Sequence, residues 1–126
     1  MLRQGLFSAV VHVLAEYVEG ALLIASPFLF GFDSGSAQAL AILLGIAVLV
    51  FAATTESRVG LSPMVPLRLH AVLDVVLAAA LVAAPFVLGF SDEGSPTAFF
   101  IVVGVAHLLL TIATQFLPER DAVARR

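Results

Sequence analysis

Ser26-Pro27-Phe28-Leu29-Phe30-Gly31-Phe32 returns 58 residues later as Ala84-Pro85-Phe86-Val87-Leu88-Gly89-Phe90, and the two copies set the register of the whole chain. Aligned without a gap, residues 12–32 and 70–90 share nine identities in 21 positions, including the His, the Pro and the Gly-Phe pair. A shift of one residue then aligns 35–56 with 94–115, giving eight identities in 22. An apolar alphabet inflates chance identity, but His, Pro and Gly-Phe matching in register is the mark of an internal repeat.

The composition says where such a chain lives. Of its 126 residues 61% are hydrophobic and 12% charged, with a mean hydropathy of +1.11. Soluble domains average about 25% charged. Residues 35–55 contain no ionisable side chain, so a soluble bundle, whose helices need polar faces, is excluded. At about 20 apolar residues per crossing, the chain has room for four spans, expected near 6–30, 38–55, 67–88 and 97–117. Pro118 ends the last of them, and 119–126 form a mixed-charge tail. The expectation is an all-α integral membrane four-helix bundle, a single membrane domain over 1–126. It consists of two tandem helical hairpins, repeat one at about 12–57 and repeat two at about 70–116. Each hairpin crosses twice, so both copies enter the bilayer in the same sense and form a parallel repeat. Met1-Leu2-Arg3 and the apolar run behind it resemble a signal peptide. The equivalent segment at 70–90 is in mid-chain, which favours a retained span.

Charge placement gives an orientation. All six Arg (Arg3, Arg58, Arg68, Arg120, Arg125 and Arg126) fall on one side of this topology. The two other loops carry only Asp33, Asp92 and Glu93. The positive-inside tendency therefore puts both termini and the middle loop in the cytoplasm, in a multi-pass protein of the cytoplasmic membrane.

Within the repeated motif, Pro27 and Pro85 cannot donate to the carbonyls of Leu23 and Leu81, and in lipid those carbonyls need other partners. Ser26 can offer its hydroxyl to Leu23, whereas Ala84 has none to offer. Gly31 and Gly89 suit a left-handed helix end. Phe28, Phe32, Phe86 and Phe90, at spacing four, read as aromatic anchors near the interface. The motif is read as a helix terminator with an anchor in preference to a ligand-binding or gating element. A small residue, Pro, aromatic, two apolar residues, Gly and Phe, twice in a four-span chain, resemble the SPW-repeat family of small bacterial membrane proteins. Phe28 and Phe86 stand where that family's name has Trp, and Ala84 where it has Ser. The resemblance implies a membrane location and no defined activity.

Ionisable groups inside a span cost about 2.5–3.5 kcal/mol each on insertion scales, so each needs an account. The candidates are His12, Glu16, Glu19, His70, Asp74, His107 and, at a helix end, Glu56. His12 lies about 30 Å and Glu16 about 24 Å from Phe32 along an ideal helix, near the opposite boundary. His12 with Glu16, and His70 with Asp74, are four apart and share a helix face, so each pair can bond locally. Metal ligation by these four and haem ligation by His12 and His70 are sharper alternatives. The spacing differs from the Glu-x-x-His pattern of di-metal bundles, and no further haem signal exists. Glu19 and His107 break the repeat, aligning with Leu77 and Val48. The pseudo-twofold places both on the contact between the first and fourth helices, which predicts a Glu19–His107 pair. Gly45 and Gly104 are repeat-equivalent, and Ala41, Gly45 and Ala52 form a small-residue stripe for close helix packing. Thr55 and Thr114 are expected to satisfy backbone carbonyls.

With no cysteine, thiol chemistry is excluded. No nucleophile–base set, phosphate loop or basic patch for nucleic acid is present. The sequence therefore assigns no catalytic residue, metal or cofactor. The partners expected are the lipid bilayer and a homo-oligomer or larger membrane complex. The function expected is non-enzymatic, structural or accessory, with a small transporter or proton-coupled channel as the alternative.

Overall fold

A computed structural model describes residues 7–55 and 57–115. Glu56, Arg3, Arg120, Arg125, Arg126, the stop at Pro118, the tail at 119–126 and the last residue of repeat two at 116 lie outside the described residues. The order is β1 (Phe7–Ser8), α1 (Ala9–Leu29), α2 (Gly35–Thr54), α3 (Leu67–Val87), α4 (Gly94–Ala113) and β2 (Thr114–Gln115). All four helices are long and apolar enough to cross a membrane. At 1.5 Å per residue each is about 30 Å long, the thickness of a hydrocarbon core.

The helix ends follow from local chemistry. Ser8 and Ser34 cap α1 and α2, their hydroxyl oxygens accepting from Val11 N–H at 3.3 Å and Ala37 N–H at 3.2 Å. Both α2 and α4 start three residues before the expected positions. Pro96 sits in the first turn of α4, where a missing N–H costs nothing. At the other end α4 stops at Ala113, short of the expected 117, because Thr114 turns into a two-residue parallel pairing with Phe7. The same pairing recurs in the other half as a parallel bridge between Thr55 and Val65.

The proline motif closes α1 and α3 in the same way. Gly31 has φ 63° and Gly89 φ 76°, the left-handed conformation glycine adopts without strain. That turn lets Phe32 N–H reach Pro27 O at 3.1 Å and Phe90 N–H reach Pro85 O at 2.9 Å, the six-to-one bond of a Schellman end. Ser26 Oγ donates to the freed Leu23 carbonyl at 2.8 Å.

The four phenylalanines of the motif do not all anchor at the interface as their spacing predicts. Phe28 and Phe86 are 79% and 62% exposed and face outward as anchors would, but Phe32 and Phe90 are each only 3% exposed. The glycine reverses the chain and aims the following Phe inward, where hydrophobic burial outweighs interfacial anchoring. Phe32 and Phe90 meet Phe100, with ring centroids 6.4 and 5.3 Å away, and plug one end of an apolar core that includes Leu23, Ala41, Val48 and Leu81.

Each hairpin is zipped by small residues. A Cβ on Gly45 would lie 2.7 Å from Gly20 O, so α1 and α2 touch backbone to backbone. A Cβ on Gly104 would lie 3.1 Å from Ala78 O, the repeat equivalent of Gly20. Gly45 and Gly104 thus sit at the close approaches the sequence predicts.

Candidate functional site

At the end of the bundle away from the phenylalanine plug, α1, α3 and α4 bring together His12, Glu16, Glu19, His70, Asp74 and His107. His12, Glu16, His70, Asp74 and His107 are buried. They share one network that joins the two local pairs and the asymmetric pair.

Glu16 is its hub. Its Oε1 lies 2.9 Å from Nε2 of His12, one turn earlier on α1, and also 2.9 Å from Nε2 of His70 on α3. Asp74 answers from the other half, Oδ2 lying 2.9 Å from His12 Nε2 and Oδ1 3.3 Å from His70 Nε2. Each carboxylate therefore reaches the His of both repeats, beyond the bond within one helix that the spacing of four predicts. The reason is the shared seam. Residues on one face of α1 at spacing four and their equivalents on α3 meet across the pseudo-twofold, and the rings of His12 and His70 stand edge to face 5.8 Å apart.

Glu19 and His107 are in contact, His107 Nδ1 lying 2.8 Å from Glu19 Oε2. The other ring nitrogen of His107 is 3.3 Å from Asp74 Oδ1, which ties this pair into the network.

Two residues missed as site members orient the imidazoles. Thr114 Oγ1 donates to Leu110 O at 2.5 Å, so its oxygen accepts from His12 Nδ1–H at 2.8 Å. Thr55 Oγ1 donates to Phe51 O at 2.5 Å and accepts from His70 Nδ1–H at 2.5 Å. A hydroxyl has a single proton and each is used on a carbonyl, so the Nδ1 atoms must be donors. Both Nε2 atoms then face the carboxylates. The signal available in the sequence was Thr55 aligning with Thr114, each at the end of the apolar run of its hairpin's second helix.

Four buried polar atoms of this cluster make no hydrogen bond among the described residues: Glu16 Oε2, Glu19 Oε1, Asp74 Oδ2 and His107 Nε2. Asp74 Oδ2 is close to His12 Nε2 but off its hydrogen-bonding axis. A haem macrocycle does not fit between His12 and His70, since Glu16 and Asp74 occupy the space there. Smaller occupants remain compatible, because one donor atom from each of His12, Glu16, His70 and Asp74 lies within 4.8 Å of the others.

Two lateral clefts flank the cluster, related by the repeat. One, of about 250 Å³ between α2 and α3, is walled by Leu44, Val48 and Leu77 and reaches Glu16, His70 and Asp74. The other, of about 260 Å³ between α1 and α4, has Val103, His107 and Glu19 at the equivalent positions. The Glu19–His107 pair thus stands where the first cleft has only apolar walls.

Four apolar helices in two tandem hairpins around a common core define a small multi-pass membrane protein. The chain belongs to the SPW repeat family, whose repeat domain matches residues 10–114. No curated protein and no solved structure matches it.

Proposed function

We propose that this is a non-enzymatic structural or accessory protein of the cytoplasmic membrane, with both termini and the α2–α3 loop in the cytoplasm, acting through contacts between its helices and other membrane segments. The observation that carries this reading is the withdrawal of the ionisable side chains from the surface. His12, Glu16, His70, Asp74 and His107 are buried against one another, and the helix faces left to the surroundings carry residues such as Val18, Leu43, Val72, Val102 and Leu109. Inside a bilayer, association of such faces rests on packing and small-residue contact, since lipid tails are as apolar as the side chains. The orientation rests on the arginine distribution. Extraction in mild detergent followed by crosslinking and size analysis tests it: a homo-oligomer or a complex of defined stoichiometry is expected, and a solitary monomer overturns the reading.

A proton-coupled channel or small transporter is the competing reading. It is favoured by the unbroken run of contacts from Glu19 through His107 and Asp74 to His12, His70 and Glu16. Against it, Phe32, Phe90 and Phe100 fill the other end of the bundle, so the described helices leave no open path there. Proteoliposome flux abolished by Glu19→Gln in well-folded protein would favour the channel.

A further inference from the structure

We propose that His12, Glu16, His70 and Asp74 form a binding site for one divalent first-row transition cation. The inference is independent of the accessory reading and adds a ligand to it.

Donor geometry is the first support. The four donor atoms fall within 4.8 Å of one another, and the His-to-carboxylate separations are 2.9, 2.9, 2.9 and 3.3 Å. Donor groups this close can reach a common ion at bonds of about 2.0–2.2 Å, the range of Zn²⁺ to His nitrogen and carboxylate oxygen, after small side-chain adjustments.

The second support is the orientation of the rings. A metal-ligating His characteristically gives its other N–H to a fixed acceptor, which sets the tautomer and aims the free lone pair at the ion. Thr114 does this for His12 and Thr55 for His70, while Glu19 holds Nδ1 of His107. The Nε2 atoms of His12 and His70 then both face Glu16 Oε1. A neutral Nε2 presents a lone pair, so lone pair faces lone pair at 2.9 Å unless a positive charge lies between.

The third support is the set of unsatisfied atoms. Glu16 Oε2, Asp74 Oδ2 and His107 Nε2 belong to side chains almost wholly withdrawn from solvent, and none has a hydrogen-bond partner among the described residues. Buried polar atoms without partners are costly, more so at membrane depth. A cation held between the two carboxylates would give Glu16 and Asp74 the partner these oxygens lack.

The donor chemistry narrows the ion. Imidazole with carboxylate and no sulfur suits Zn²⁺, Fe²⁺ or Mn²⁺, and does not select Cu⁺. Each repeat supplies one His, one carboxylate and one orienting Thr, so the ion would clamp α1 to α3 and join the two hairpins.

The test uses the full chain in detergent, stripped with a chelator, reloaded separately with Zn²⁺, Fe²⁺ or Mn²⁺, desalted and measured by elemental analysis. For at least one ion, about one per chain is expected. Asp74→Asn combined with His70→Gln should lower this at least about tenfold, and Glu19→Gln, which leaves the proposed donors in place, should retain it. Thr55→Val with Thr114→Val keeps every donor and is expected to weaken affinity about 10–100-fold. X-ray absorption of the loaded wild type should show a nitrogen/oxygen shell with imidazole scattering, a result that no variant's folding can obscure. Wild-type protein that takes up none of the three ions, or loaded protein without imidazole scattering, overturns the site and leaves a network held by protons alone.

Discussion

Glu19 and His107 show most clearly how a single side chain is accommodated in this core. Glu19 has only His107 as a side-chain partner among the described residues, and removing one partner of a buried pair strands the remaining one at a cost of about 3–5 kcal/mol. The other half of the molecule shows the alternative, since Leu77 and Val48 occupy the equivalent positions as plain apolar side chains. Glu19→Leu and His107→Val are therefore each expected to destabilise the protein by about 3 kcal/mol or more, with the double variant costing much less than the sum. Equilibrium unfolding in micelles over the four proteins of the cycle measures this. Additive losses would mean that His107 depends chiefly on Asp74, 3.3 Å away, and not on Glu19. The asymmetry of this pair was legible in the sequence because the repeat supplies its own reference. Glu16 reaching across to His70 was not legible, because spacing along one helix places side chains on a face and is silent about which neighbouring helix that face meets. The Thr55 and Thr114 hydroxyls were foreseen as donors to backbone carbonyls, but their role as acceptors for imidazole depends on where the helix ends meet other helices.

Among the elements, the tightest constraint is the α1–α2 contact. At Gly45 a Cβ would stand 2.7 Å from Gly20 O and 2.7 Å from Ile24 Cγ1, so backbone must move to admit it. At Gly104 the nearest atom is a movable methyl of Val82 at 2.8 Å, and the fixed atoms, Leu81 Cβ at 3.0 Å and Ala78 O at 3.1 Å, stand farther off than the backbone oxygen at Gly45. Gly45→Ala should lose about 1–3 kcal/mol and Gly104→Ala visibly less, as read from thermal unfolding. Equal losses would show that the two hairpins do not differ in how their backbones meet. The helix-terminating glycines answer to a different force. Gly31, with φ 63° and no heavy atom within 4 Å of an added Cβ, has space but the wrong conformation for any other residue. Gly31→Ala is expected to cost about 1–2 kcal/mol through backbone strain alone, while Gly35→Ala, also in open space but inside α2, should cost nothing. Span number and these left-handed ends were legible because they depend on apolar length and local sterics. The inward turn of Phe32 and Phe90 and the early end of α4 were not, since burial against Phe100 and the pairing of Thr114 with Phe7 are contacts between distant parts of the chain.

Across the whole molecule the bundle is divided along its length into an apolar half closed by phenylalanine and a polar half built on histidine. This division gives the protein a direction in the bilayer. The histidine end carries the α2–α3 loop with Arg58 and, at the start of α3, Arg68, whereas the opposite loops carry Asp33, Asp92 and Glu93. Glu93 also ties the α1–α2 and α3–α4 loops together at the apolar end, its Oε2 accepting from Asp33 N–H at 2.6 Å and its Oε1 from Ser34 N–H at 2.8 Å. The membrane potential and the insertion machinery both disfavour carrying Arg outward, so the histidine end is expected inside. Because the chain has no cysteine, single substitutions report on this without background. Ser62→Cys, exposed in the α2–α3 loop, should resist a membrane-impermeant maleimide in intact cells and react after lysis, while Ser91→Cys, exposed between α3 and α4, should react in both. The reverse pattern would invert the protein and put the His–carboxylate cluster near the outer surface. A proposed cation would then load from the exterior, so the same pair of cysteines decides from which side the polar half is filled.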